Sequence, residues 1–149
     1  MADVYALDTN VYIRALRDGT RLAALERFLM KTGTRLRVSA VVALELRAGA
    51  RTSAQEQAVN DLVASYGSRD RVIVPTLDAY VESGRVLATL GTREGVAVAR
   101  AGSLVNDVLI ATSCRESGVQ LVTENSGDFT MLKRHLRGFR FVGADEVLG

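Results

Sequence analysis

Four acids, Asp8, Glu45, Asp107 and Asp128, are the residues of this 149-residue chain best suited to chemistry. Each alone has an ordinary structural explanation: Asp8 a turn residue, Glu45 an exposed helix acid, Asp107 a partner of a helix dipole, Asp128 an N-cap. Asp107 resists that explanation most, because Leu104-Val105-Asn106-Asp107-Val108-Leu109-Ile110-Ala111 sets it in an apolar run. A carboxylate so placed is expected to be partly buried, and a buried charge needs a counter-charge or a metal. A helix N-terminus offsets about 1 kcal/mol of that cost. Two carboxylates about 5 Å apart repel by roughly 3 kcal/mol at an effective dielectric near 20, so four gathered together need more. Oxygen-only ligands favour a hard divalent cation, Mg2+ or Mn2+, over zinc. Such a centre suits phosphodiester hydrolysis, where the cation lowers the pKa of a water and stabilises charge on the phosphate and leaving oxygen. Thr9, Asn10 and Thr123 are placed to steady ligands or their waters by hydrogen bonds.

The elements that must position these acids read as alternating strands and helices. Strands are expected at Val4–Leu7, Leu36–Val38, Val72–Val74, Val119–Val122 and Phe139–Val142. Helices are expected at Arg21–Lys31 with Gly33 as stop, from a Ser39 cap through Ala50, and from a Thr52 or Ser53 cap to Tyr66. Further helices are expected at Leu77–Leu90, Ser103–Glu116 and Phe129–His135, with a flexible loop from Gly91 to Gly102. Strands interleaved with helices predict one α/β domain over residues 1–149 with a mostly parallel sheet covered on both faces. Function then collects at the carboxyl ends of the strands. Asp8 follows the first strand, Glu45 lies two turns into the helix after the second, and Asp107 lies near the start of its helix. Asp128 opens the short helix beyond Thr123-Glu124-Asn125, so the four converge on one sheet edge.

Composition sets the surroundings. At 48% hydrophobic and 24% charged residues the chain is an ordinary globular one, with no apolar run long enough to span a membrane. With a strand expected at once no signal peptide is expected, and the single cysteine, Cys114, makes no internal disulfide, so a reducing cytoplasmic location is expected. Cys114 and Tyr5 are read as packing, and His135 as a surface or capping residue beside Lys133 and Arg134. Net charge is only +2, but residues 1–51 carry nine basic groups against five acidic ones, and Lys133, Arg134, Arg137 and Arg140 form a second cluster. Solvated helix faces explain such an excess; equally, Arg14, Arg47, Lys133 and Arg134 are weak candidates for RNA phosphate contacts.

Four segments together resemble the PIN-domain family, and most closely its VapC-type toxins: Leu7-Asp8-Thr9-Asn10, Ser39 to Gly49 with Glu45, Asn106-Asp107-Val108-Leu109-Ile110-Ala111, and Leu121 to Phe129 with Asp128. The likeness spans nearly the whole chain in the family's order. It implies a five-stranded parallel sheet flanked by helices and a Mg2+- or Mn2+-dependent endoribonuclease. It also implies a homodimer and inhibition by a small cognate antitoxin. Asp8, Glu45, Asp107 and Asp128 match the family's catalytic, metal-binding acids. Thr123 matches the supporting hydroxyl, and Asn125 opens the Asn-x-x-Asp-Phe form. Glu124 is an added carboxylate, expected to point to solvent rather than compete with Asp128. A haloacid-dehalogenase-like phosphatase wants a second Asp where Asn10 stands, a receiver domain wants an acidic pair and a late Lys, and no phosphate-binding glycine loop is present. A PIN fold that only binds RNA or protein is the non-enzymatic alternative.

Overall fold

The computed structural model describes residues 2–93, 95–96 and 98–149. Strands β1 (Tyr5–Leu7), β2 (Leu36–Ser39), β3 (Val72–Ile73), β4 (Gln120–Thr123) and β5 (Phe141–Gly143) form one sheet in the order β3-β2-β1-β4-β5, every pair parallel. The helices are α1 (Thr9–Arg17), α2 (Gly19–Thr32), α3 (Ala40–Gly49), α4 (Ser53–Gly67), α5 (Leu77–Arg93), α6 (Val98–Ser103), α7 (Val105–Glu116), α8 (Ser126–Lys133) and α9 (Ala144–Leu148).

Side chains alternate across the pleat, and the two faces carry separate cores. Ala6 and Leu121 point into one, packed with Val42, Val86, Leu90, Val108, Ile110 and Phe129 from α3, α5, α7 and α8. Leu7 and Val122, one residue on, point into the other, packed with Val11, Leu25, Phe28 and Leu148 from α1, α2 and α9. Cys114 is fully buried in the first core; burial, then the nearby Asp8 charge, pushes its thiol up to about 12, so it is packing and not a nucleophile. Tyr5 meets Phe28 edge to face at 5.3 Å.

Local signals account for most boundaries. The Ser39 hydroxyl accepts from the Val42 N–H at the start of α3, and Thr52 and Gln55 form a capping box at the start of α4. Gly33 closes α2 at φ 54°, a left-handed conformation that glycine adopts freely.

Two expectations from sequence are corrected, and one element not expected is present: Thr9–Arg17 is a helix, because Asp8 caps it and Val11 and Ala15 bury one side. The expected loop from Gly91 to Gly102 is in part helical: α5 continues to Arg93, and Val98–Ser103 forms α6, the rest of that span lying partly outside the described residues. The third-acid helix accordingly begins at Val105, one residue after the fully buried Leu104.

The hydroxyl of Tyr12 is buried and lacks a hydrogen-bond partner among the described residues. Burial, and secondarily Tyr66, raises its pKa. An unpaired buried hydroxyl costs stability. Tyr12→Phe is therefore expected to raise stability by roughly 1 kcal/mol, measured by urea denaturation; a loss of stability would show that the hydroxyl has a partner.

Candidate active site

The parallel pairing of β1 with β4 aligns Leu7 with Val122, so Asp8 and Thr123 leave the sheet side by side. The Asp8 N–H donates to the Val122 carbonyl at 2.9 Å, and the Thr123 hydroxyl donates to Asp8 Oδ2 at 2.7 Å. Asp8 Oδ1 accepts from the Thr9 N–H at 2.9 Å, at the N-terminus of α1. Only 4% of Asp8 is exposed. Burial raises its pKa, partly opposed by the bonds from Thr123 and Thr9 and reinforced by Glu45.

Glu45 is the sixth residue of α3, which packs against α1 and α7. Its Oε1 accepts from the Thr9 hydroxyl at 2.7 Å. Asp107 lies in the first turn of α7 and is half-buried. Among the described residues, no side-chain hydrogen bond or ion pair reaches it. Burial, then the charges of Asp8, Glu45 and Asp128, push its carboxyl up to about 7, with only Arg100 pulling the other way.

Asp128 sits in the first turn of α8 and is not its N-cap, which sets aside the ordinary explanation for this acid. Asn125 caps that helix, accepting from the Asp128 N–H at 3.4 Å and donating through its amide to Asp128 Oδ2 at 3.0 Å. Asn125 is itself tied back to Thr123, its N–H donating to the hydroxyl at 2.9 Å. The other Asp128 oxygen, Oδ1, accepts from Arg100. Burial alone would raise Asp128, but the bonds from Arg100 and Asn125 and the Arg100 charge outweigh it and hold the group below its ordinary range.

The charges of Asp8, Glu45 and Asp128 are all felt at Asp107, and that of Glu45 also at Asp8. Yet no three acidic, His or Cys side chains among the described residues stand together as a ready-made metal cage. Each of three acids is held by its own hydrogen bonds: Thr123 and Thr9 hold Asp8, Thr9 holds Glu45, and Arg100 with Asn125 holds Asp128. The donor set nonetheless fits a hard divalent cation. It is all oxygen, it carries net negative charge, and among the described residues Asp107 has no ion pair of its own, only the charge of Arg100 nearby.

Glu124 does not point to solvent as expected. It lies between Arg14 and Arg21, both ion-paired to it, and both arginines also reach Asp145, at 3.9 and 3.1 Å. Its N–H donates to the Asn10 side-chain oxygen at 3.1 Å, and the Asn10 side chain also hydrogen-bonds Asp8. This network joins α1, α2, the end of β4 and α9, and it keeps Glu124 away from Asp128. Arg21 is only 8% exposed. Arg21→Ala is expected to cost on the order of 2 kcal/mol, less than an isolated buried pair because Glu124 keeps Arg14. Chemical denaturation measures this, and a change within 0.5 kcal/mol of zero would mark the network as energetically idle, as for an ordinary surface site.

Of the basic residues weighed for RNA, Arg14, Arg47 and Lys133 have other partners among the described residues. Arg14 is committed to Glu124, Arg47 lies 3.6 Å from Glu56, Lys133 sits over the Phe141 ring at 6.0 Å, and Lys133 and Arg134 lie at the far end of α8 from Asp128. The cation that does reach the acids is Arg100, in the segment read from sequence as a loop.

The PIN domain family model matches residues 5–133, and the chain belongs to the PIN-domain family. Solved structures share the fold over nearly their whole length. DNA-bound VapBC from Salmonella typhimurium aligns with a TM-score of 0.68 and 23% identity, covering 96% of this chain and 99% of that one. VapBC2 from Rickettsia felis bound to a promoter DNA fragment aligns at 0.64 and 23%, covering 94% and 98%. FitAB bound to an IR36 DNA fragment aligns at 0.67 and 16%, covering 95% of each. Curated protein sequences yield no match.

Proposed function

We propose that this PIN domain is a divalent-metal-dependent endoribonuclease, the toxin of a VapBC-type toxin–antitoxin pair, with Asp8, Glu45, Asp107 and Asp128 as its catalytic and metal-holding acids. The observation that carries this reading is Asp107: a half-buried carboxyl without a hydrogen-bond or ion-pair partner among the described residues, under the charges of three further carboxylates. Asp8, Asp107 and Asp128 would hold the cation, with Glu45 assisting. Mg2+ or Mn2+, when bound there, supplies a water of lowered pKa and stabilises charge on the scissile phosphate. The chain's own contribution is to orient these oxygens. Thr123 fixes the Asp8 rotamer, Thr9 that of Glu45, and Asn125 that of Asp128.

The partners that follow are an RNA substrate, a small cognate antitoxin and a second copy of the chain. Exposed apolar side chains offer unused surface for the proteins: Leu77, Tyr80 and Val81 share one face of α5 beside Val74, and Leu16 and Leu44 stand out from α1 and α3. No helix among the described residues is long and apolar enough to cross a membrane. A PIN domain that binds without cutting is favoured by one feature alone, Arg100 seated on Asp128.

Incubating purified protein with a total-RNA pool in Mn2+, Mg2+ or EDTA separates the two. Cleavage that requires metal supports the nuclease. Folded, antitoxin-free protein that binds RNA and leaves it intact in every lane would replace it with the binding reading.

A further inference from the structure

Arg100 reaches the acidic edge from α6. It donates from Nη2 to Asp128 Oδ1, and its charge acts on Asp107 as well. The side chain is 48% exposed. Its Nη1 donates to the Ser103 hydroxyl at 3.4 Å, and that hydroxyl donates back to the Arg100 carbonyl at 2.7 Å. An exposed ion pair between two isolated charges contributes little. Here the partner belongs to a group of acids in excess, so the guanidinium partly meets the need a divalent cation would meet.

It also stands in that cation's way. Asp128 has one oxygen on the Asn125 amide and the other on Arg100, leaving neither uncommitted. A guanidinium and a metal ion compete for the same Oδ1. Once displaced, a half-exposed guanidinium at the rim of the acids is suited in shape and charge to a phosphate.

Building on the metal-dependent ribonuclease reading, we infer that Arg100 is a resident counter-ion of the acidic site: a divalent cation displaces it from Asp128, and the released guanidinium then holds a phosphate of the RNA. It is a positioning residue whose availability to RNA is set by metal.

The test uses metal-free wild type, Arg100→Gln and Arg100→Lys, each shown folded by circular dichroism. Manganese alone is titrated by calorimetry, and binding of a labelled RNA oligomer, shown intact on a gel after each reading, is followed by anisotropy in Mn2+ and in EDTA. Losing an exposed pair is worth a few-fold, so Arg100→Gln is expected to bind manganese roughly three- to fivefold more tightly, with Arg100→Lys between it and wild type. The same variant is expected to lose RNA affinity in Mn2+ and to match wild type in EDTA. Manganese affinity that is equal in all three proteins, or weaker in Arg100→Gln, overturns the exchange while leaving the metal site standing. RNA affinity lost equally with and without metal overturns it too. If no protein takes up manganese, the metal-dependent reading falls and the exchange falls with it.

Discussion

Asp107→Asn is expected to lose RNA cleavage by at least about a hundredfold, the scale for removing one charge-stabilising group, while making the metal-free protein more stable at pH 8. The two effects share one cause. In the metal-free fold Asp107 has no side-chain partner among the described residues, and three acids surround it. An amide of the same shape removes the repulsion and breaks no bond. It also removes a ligand oxygen bearing charge, so the gain in melting temperature produced by manganese should shrink. Asp8→Asn is a poorer probe. Asp8 accepts from the Thr9 N–H on one oxygen and from the Thr123 hydroxyl on the other. An amide keeps the Thr9 bond only by turning its nitrogen to Thr123, whose hydroxyl must then accept instead of donate, so part of any lost activity would reflect a rearranged site. Cleavage rates and thermal melts of Asp107→Asn decide the matter. A variant with wild-type activity would remove Asp107 from the site, and one less stable than wild type at pH 8 would mean that the native carboxylate is already neutralised.

The acids were legible in sequence because two periodicities locate them. Strand ends follow from short apolar runs, and β1 and β4 put Asp8 and Thr123 at one edge whatever the exact boundaries. Asp107 was legible because a charge inside Leu104–Ala111 has no apolar reason to be there. What sequence did not show depends on partners distant along the chain. Glu124 reads as a solvent-facing acid after a strand, and only the fold brings it Arg14 and Arg21, 110 and 103 residues away. Helix α1 was hidden because Asp8-Thr9-Asn10 carries turn chemistry, and the residues that bury it, Val11 and Ala15, are few. Arg100 was hidden by its setting: Gly91, Gly95 and Gly102 suggest a loop, and nothing in the composition tells that of the two arginines among them Arg100 meets Asp128. The basic clusters that composition does display lie elsewhere.

The metal-free protein is expected to lose stability as pH rises from about 4 to about 7, and a divalent cation is expected to reverse the trend. The Asp107 carboxyl stands at about 7 in the folded chain against an ordinary 3.8. Between those values the folded state holds a proton that the unfolded state has released. Stability changes with pH in proportion to protons bound unfolded minus protons bound folded, so the slope is negative across this window. Asp8, also raised, adds to it with the same sign. Asp128, lowered, has the opposite sign, but its contribution is lost only as pH falls below the ordinary carboxylate range. The whole effect of Asp107 is bounded at on the order of 4 kcal/mol, which lowers the melting temperature at pH 8 relative to pH 5.5 by several degrees or more. A cation binds the ionised carboxylates, so its stabilising effect should grow with pH: small at pH 5.5, and about 3 kcal/mol at pH 8 for manganese at a hundred times its Kd. Thermal melts at the two pH values, with EDTA and with manganese, give the four numbers needed, and Asp107→Asn in EDTA isolates the group responsible. A metal-free melting temperature that is flat or rising over this range, unchanged by Asp107→Asn, would mean that the acids do not repel one another in the folded chain.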